Sequence, residues 1–199
     1  LLAVHLLAAG PAMPVVAVLP FENHAGDPAL TPLGLGLADM LTTDLAQLGT
    51  VTVVERSRLG AVLGELELQK QAFFDAATTV KVGRGMGATH VVTGSLLEVT
   101  RTLRIDARIV EVESGRVHAA VSATGTREGF LEVHAAIVSG LAGKLGGGVA
   151  APAPRTRAGS VDVVLAYGTA LEHADAGRLE EARVALEQVT RRAPLFGLA

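Results

Sequence analysis

The stretch VVAVLPFENHAGD, residues Val15–Asp27, decides the fold that the sequence predicts. It opens with Val15–Leu19, an apolar run rich in β-branched side chains with a proline on either side. That composition is typical of a strand buried on both faces. The turn residues Gly26–Pro28 follow, and Thr31 then offers a helix N-cap before Pro32 at the first helical position. We therefore expect the first strand–loop–helix unit of an α/β domain.

Two periods of apolar residues predict the elements that follow. A leucine every four residues predicts a helix over about 32–48, closed by Gly49. Ser57 and Asp75 can cap two further helices. The other elements are expected as a strand at 51–54, three strands over about 90–99, 103–112 and 117–123, and a last helix over 127–145. The predicted class is α/β, a mixed sheet with packed helices in the order βαβααβββα. Residues 109–112 interrupt the alternation, which predicts a bulge or the strand's emergence from the core.

Composition divides the chain of 199 residues into four parts. Residues 1–14 begin with the apolar run Leu1–Ala9, typical of the end of a secretory signal peptide, although an additional strand or helix of the domain would also fit. Residues 15–146 form the α/β domain, and the Gly- and Pro-rich residues 147–159 a flexible linker. Residues 160–199 are predicted to form a C-terminal α-helical hairpin.

The C-terminal hairpin resembles one tetratricopeptide repeat. Helices are expected over about 160–175 and 179–193, with Gly177 at the turn and the signature GRLEEA at the start of the second helix. One such repeat cannot bury its apolar face alone. Further repeats or a partner helix are therefore expected.

Charge and composition argue against several classes of function. The net charge is −3, with acidic and basic residues interspersed, so no basic surface for nucleic acid is indicated. The chain has no cysteine, which excludes a disulfide framework, a thiolate metal site and a cysteine nucleophile within it. No segment beyond the start is apolar for long enough to predict a transmembrane helix.

No residue pattern in the sequence predicts catalysis. The glycine motif GRGMG at Gly83–Gly87 lacks dinucleotide-loop spacing and precedes a strand, so it predicts a helix C-cap and a tight turn. The six histidines show no metal-ligand spacing. Asp39 and Asp44 are expected on the solvated surface of the first helix, whereas Gly34 and Gly36 are expected to permit close helix packing. We accordingly predict no enzyme, no cofactor and no metal site.

Five consecutive segments resemble the curli-secretion-channel (CsgG-like) family over nearly all of residues 15–145. They are VAVLPFENHAGD, LGLGLADMLTTDL, VTVVERSRLGAVLGEL, GATHVVTGSLLEV and RIDARIVEVESGRV. The resemblance implies a bacterial periplasmic protein that acts at the outer membrane and binds other proteins. It also implies self-association into a homo-oligomer.

The sequence departs from the pore-forming members of that family. Those members insert long amphipathic hairpins at two places, where this chain has only Thr100–Thr102 and a direct passage from Thr126 into the last helix. A membrane-spanning strand needs roughly 9–11 residues. Neither pore formation nor the lipid anchor of the family is therefore expected here.

A second resemblance gives the alternative interpretation. The TolB-like amino-terminal domain also begins with a PFxNxxGD motif and occurs fused to tetratricopeptide repeats in cytoplasmic regulators, including some adenylate cyclases. It implies a ligand- or protein-sensing regulatory module. An enzyme is the third and least supported class.

The sequence thus predicts a non-enzymatic assembly or adaptor protein of the periplasm or outer membrane, with envelope or secretion proteins as partners. Two protein-binding surfaces are expected. One is the loop after the first strand, with Phe21, Asn23 and Asp27, although Phe21 could equally be core. The other is a concave face of the hairpin near Tyr167, Leu171 and Gln188, where Tyr167 could instead pack between the two helices.

Overall fold

The computed structural model describes residues 13–66, 75–146 and 160–198. The described residues form six strands and six α-helices. In chain order they are β1 (Val15–Val18), β2 (Glu22–Asn23), α1 (Thr31–Ala46), β3 (Thr52–Val53), α2 (Ser57–Glu65), α3 (Ala76–Met86), β4 (His90–Val99), β5 (Thr102–Glu111), β6 (Val117–Thr126), α4 (Phe130–Lys144), α5 (Val161–Asp175) and α6 (Leu179–Arg192).

The strands form one mixed sheet in the order β3-β1-β4-β5-β6, with β2 also paired to β4. Strands β3, β1 and β2 run parallel to their neighbours, whereas β4, β5 and β6 are antiparallel to one another. The predicted mixed sheet and the central place of β4 are confirmed. The predicted order of elements lacked β2, because two residues are too few to show a periodic pattern.

The connections between the antiparallel strands are short. Thr100 and Arg101 form the turn between β4 and β5, and both have positive φ, at 49° and 62°, as a tight hairpin turn requires. The next turn places Gly115 at φ 70°. The register between β5 and β6 shifts between Ile109 and Val110, so the predicted bulge is confirmed.

The observed helix ends match the predicted ones only in part. Asp75 caps α3 by accepting a hydrogen bond of 3.0 Å from the Thr78 amide, as predicted. Thr31, predicted as the N-cap of α1, is instead its first residue, because a 3-10 turn over Pro28–Leu30 precedes it and Asp27 caps that turn. In the GRGMG motif only Gly87 is the left-handed C-cap.

The two faces of the sheet have separate cores. Helices α1 and α4 cover one face, where α1 contributes Leu33, Leu37, Leu41 and Leu45 to the main cluster. Helices α2 and α3 cover part of the other face, where Ala17 and Leu19 lie with Leu59, Val62 and Met86. Alternate residues of the first strand therefore enter different cores, which confirms that β1 is buried on both sides.

Helix α5 packs along α1, so the C-terminal hairpin shares the main core. The two helices approach at Gly36 and Gly168: a Cβ added at Gly168 would lie 1.8 Å from the Pro32 carbonyl oxygen, and one at Gly36 would lie 2.7 Å from the Val164 carbonyl oxygen. The predicted close packing at Gly36 is confirmed. Helix α1 is thus a partner for the hairpin's apolar face, while the likeness to a tetratricopeptide repeat stays a prediction.

Two of the predictions concern residues that lie outside the described ranges. The proposed signal remnant falls almost entirely on residues 1–12, and the proposed linker is residues 147–159. Among the residues that are described, no helix combines the length and the apolar character needed to cross a membrane.

The α1–α5 crossing can be tested by Gly168→Ala. The added methyl group would overlap backbone atoms of Pro32, so we expect a loss of about 1–3 kcal/mol in the free energy of unfolding, measured by urea denaturation. The matched control is Gly143→Ala on α4, where an added Cβ meets nothing within 4 Å and helix propensity favours alanine by up to about 1 kcal/mol. Equal stability of the two variants would contradict the close crossing.

A second test uses pH. His90 lies 5.7 Å from His118 between ring centroids, and its pKa is lowered first by burial and then by the charge of His118, against an opposing effect of Glu111. Because the unfolded chain then binds this proton more readily, stability should fall as pH drops below about 6.5. We expect His90→Gln to flatten the dependence of unfolding free energy on pH between 7.5 and 5.5. An unchanged slope would show that His90 does not cause it.

Candidate functional site

The carboxyl ends of β1 and β3 lie side by side where the chain changes direction around the sheet. From β1 the chain continues to α1 on one face, and from β3 it continues to α2 on the other. In open α/β sheets, ligands bind in the crevice that such a switch point creates. The fold therefore points to this end of the sheet as the candidate site.

A cleft of about 540 Å³ occupies this switch point. One wall is the loop after β1, Pro20–His24, and another is the beginning of α2 with Arg56, Ser57 and Gly60. The C-terminal turn of α5 supplies a third wall through Glu172 and Asp175, and the apolar residues Leu35, Leu59 and Leu63 complete the lining. The cleft thus combines an apolar interior with charged groups at its border.

Asn23 and Asp27 give the loop its shape. The Asn23 side-chain amide donates to the Asp27 carbonyl oxygen at 2.7 Å and to Thr31 Oγ1 at 3.3 Å, while its Oδ1 accepts from the Ala25 amide at 2.9 Å. Asp27 Oδ1 accepts from the Ala29 amide at 3.0 Å. Both side chains therefore bind their own loop, and Asn23 alone of the two lines the cleft.

Phe21 belongs to the core as well as to the cleft wall. Its side chain is 3% exposed, and it packs so closely on β4 that a Cβ at Gly94 would lie 2.4 Å from its ring. Its amide donates to the Gly34 carbonyl oxygen at 3.2 Å. Phe21 therefore fixes the loop to α1 and β4, which leaves little of its ring available to a partner.

Arg56 connects three parts of the molecule at the cleft. Its Nε lies 3.3 Å from Asp39 Oδ1 on α1, and one terminal nitrogen donates to Asp175 Oδ1 on α5 at 2.7 Å. Asp39 also accepts a hydrogen bond of 2.8 Å from the Tyr167 hydroxyl. Burial, and then the neighbouring Asp39 carboxylate, raises the pKa of Tyr167, so the hydroxyl keeps its proton. The network holds the third wall of the cleft in place.

The hairpin surface that the sequence predicted is not an open face. Tyr167 is 4% exposed and Leu171 is also buried, both within the main core. The Tyr167 ring packs edge-on against Phe196, with centroids 5.1 Å apart. Gln188 is exposed on α6, whereas Tyr167 and Leu171 are buried on α5, so these three side chains do not share an exposed surface.

Sequence reasoning missed the polar residues that matter most here. Asp39 and Asp44 were expected to be solvated, but both contact other side chains. Asp39 contacts Arg56 and Tyr167. Asp44 is 4% exposed and lies 2.8 Å from His134 Nε2 in the core between α1 and α4. Asp44 follows Leu37 and Leu41 on the apolar stripe of its helix, and His134 likewise follows Phe130. Their positions on apolar stripes were the available signal of burial.

The described part of the chain offers few arrangements for chemistry. It contains no group of three or more metal-ligating side chains that could hold a metal ion. Ser57 and His24 line the same cleft, but the imidazole of His24 lies 3.1 Å from Glu22 Oε2. At the cleft, Glu22 pairs with His24 and Arg56 pairs with Asp175.

Residues 6–103 match the family model of the curli production assembly/transport component CsgG. The CsgG-like resemblance is thereby confirmed for that segment, which runs through β1 to the beginning of β5. Among curated proteins, the putative adenylate cyclase 3 of Rhizobium meliloti (strain 1021) is 30% identical over 105 residues. The alignment covers 53% of this chain but only 16% of that relative.

Two solved structures resemble part of this chain. The LpoB C-terminal domain from Salmonella enterica has a TM-score of 0.50 at 17% identity, covering 57% of this chain and 83% of that one. Lipoprotein GNA1162 from Neisseria meningitidis has a TM-score of 0.48 at 19% identity, covering 56% and 79%. The likeness to the LpoB domain shows that the two share an α/β fold.

The Arg56 network is tested by a double-mutant cycle with Arg56→Gln and Asp175→Asn. Because the pair is only partly exposed and shares Asp39, we expect a coupling energy of about 1 kcal/mol in urea unfolding. The matched control is the cycle for Arg101 and Glu128, an exposed pair at 2.6 Å, for which we expect no measurable coupling because solvent screens it. Absence of coupling at Arg56 would mean that the network does not hold the hairpin.

Proposed function

We propose that this chain is a non-catalytic, protein-binding module of the bacterial cell envelope, which binds a segment of a partner protein in the switch-point cleft. The observation that carries the proposal is the construction of the cleft. Its three walls come from separate parts of the chain. Arg56 joins the α2 wall to the α5 wall through Asp175 and also pairs with Asp39 on α1. A preformed concavity with an apolar interior and a polar border is typical of a binding site.

The envelope setting rests on family likeness. The CsgG family match over residues 6–103 supports a role in assembly or transport at the envelope, and periplasmic or outer-membrane association is part of the proposal. The short Thr100–Arg101 turn stands where pore-forming relatives are expected to insert a hairpin. The proposed role is therefore that of an adaptor.

The charges of the cleft favour a partner segment with a basic side chain. Four carboxylates lie in or directly behind it, against the one guanidinium of Arg56: Glu22, Asp39, Glu172 and Asp175. A lysine or arginine has an aliphatic stem that can lie on apolar surface while its charged end meets carboxylates. Leu35, Leu59 and Leu63 provide that apolar surface.

A second candidate function is a sensory module within a larger regulator. It is favoured by the curated relative, in which the matched segment is only 16% of a protein named a putative adenylate cyclase. In that case the same cleft would receive a ligand or protein that signals to the rest of the polypeptide. The two candidates differ in the compartment where the cleft is occupied.

The proposal is tested with the photo-crosslinking residue p-benzoylphenylalanine in place of His24, at the exposed border of the cleft. We expect a defined protein adduct in source cells, lost when Gly60→Trp fills the cleft. Gly60 is suitable because it lines the cleft and an added Cβ meets nothing within 4 Å. The control is Gly143→Trp on α4, equally unobstructed and outside the cleft, which should preserve the adduct.

Two further readouts make this test decisive. Glu172→Gln should weaken adduct formation if the partner contributes a basic side chain. Adducts recovered from periplasmic or outer-membrane fractions would support the envelope role, whereas adducts confined to the cytoplasm would favour the sensory module. An adduct unaffected by Gly60→Trp would exclude the cleft as the binding site.

A further inference from the structure

Strand β6 is an unusually unprotected sheet edge. It is ten residues long and lies at one end of the strand order, paired along one side with β5. Nothing in the described ranges 13–66, 75–146 and 160–198 pairs with its other side. Its outer side therefore presents backbone N–H and C=O groups that can hydrogen-bond another strand.

The sequence of β6 lacks the features that normally prevent edge pairing. VHAAVSATGT contains no lysine, arginine, aspartate, glutamate or proline. Ala120, Ser122 and Thr124 are exposed on the face turned away from α4, and they are small. The bulge in this hairpin lies near its far end, at Ile109 and Val110, and leaves the register regular from Ala119 to Thr126. Natural edges of this length are usually interrupted by charges, proline or bulges.

We propose that two copies of this chain pair through β6, antiparallel about a two-fold axis, so that their sheets become continuous. A second copy offers β6 a free edge of the same ten-residue length and the same uncharged sequence. Because β6 contains no Lys, Arg, Asp or Glu, antiparallel pairing places none of these charged side chains opposite a like charge. A two-fold interface of this kind uses the same surface on both subunits.

The geometry of such a pair predicts which residues can lie opposite their own copies. Directly opposite residues in antiparallel strands lie on the same face, so the axis must lie midway between one residue and its own copy. A residue two positions along the strand is then separated from its copy by four residue steps, about 13 Å along the strands. Only a cysteine opposite its own copy at the axis is close enough to form a disulfide with it.

The absence of cysteine from the 199 residues permits a direct test. Single variants Ala119→Cys, Ala120→Cys, Val121→Cys, Ser122→Cys, Ala123→Cys and Thr124→Cys are oxidised under mild conditions, and disulfide-linked dimers are quantified on non-reducing gels. We expect one position to cross-link at least tenfold faster than the position two residues away. Gly143→Cys, on the outer surface of α4, measures the rate from random collision. Uniform rates at the level of Gly143→Cys would overturn the proposal.

Light scattering on the unmodified chain provides an independent readout. We expect a dimer at about 100 µM protein, and Ser122→Lys should weaken it at least tenfold because it places a charge on the edge. Ser122 lies opposite Asp106 in the sheet, so the new lysine gains an oppositely charged neighbour in the monomer and the fold should persist, as circular dichroism can verify. Gly143→Lys serves as the control with the same charge. A monomer at every concentration would refute β6 pairing, while the cleft proposal would stand unaffected.

Discussion

The close crossing of α1 and α5 is the constraint on which the rest of this structure depends. It exists because Gly36 and Gly168 have no side chains where the two helix backbones meet. At that separation Tyr167 can reach Asp39, and the last turn of α5 can reach Arg56. A wider crossing would remove both contacts and, with them, one wall of the cleft. The close packing of α1 on α5 thus determines which charged side chains can meet at the cleft.

The cleft inherits its position from topology and its character from side chains. The switch between α1 and α2 creates a crevice wherever two neighbouring strands send their chains to opposite faces. In this chain the crevice is narrowed by a loop that Asn23 and Asp27 stabilise internally and is bounded by a helix from the C-terminal hairpin. The residues with the clearest sequence motif, Phe21 to Asp27, therefore act mainly as structure, whereas the proposed recognition uses the charged residues at the border.

Much of the fold could be read from periodic patterns, because they record which side of each element is buried. The apolar run at Val15–Leu19, the alternation of β5 and its interruption at Ile109 and Val110 all predicted features that the structure contains. The docking of α5 on α1 was not predictable in this way. A glycine indicates that a close approach is permitted but does not identify the element that approaches.

The polar contacts were hidden for a related reason. A carboxylate in a helix is usually solvated, so Asp39 and Asp44 were assigned to the surface. Their partners, Arg56 and Tyr167 for one and His134 for the other, lie on other elements. The CsgG-like segments located the domain, but they could not indicate which charges meet in space. Tyr167 and Leu171, predicted as part of a binding surface, are buried in the main core, a burial that the spacing of apolar residues alone did not reveal.

The Arg56–Asp175 contact spans 119 residues of sequence, and this separation has a consequence for biogenesis. Domains fold progressively as the chain is synthesised or emerges from a membrane, so the sheet from β1 to β6 can assemble before α5 is available. During that interval the cleft has only two of its walls. Under the proposed function, a partner that contacts the third wall would bind completed molecules and not nascent or truncated ones, so that binding would report on the integrity of the chain.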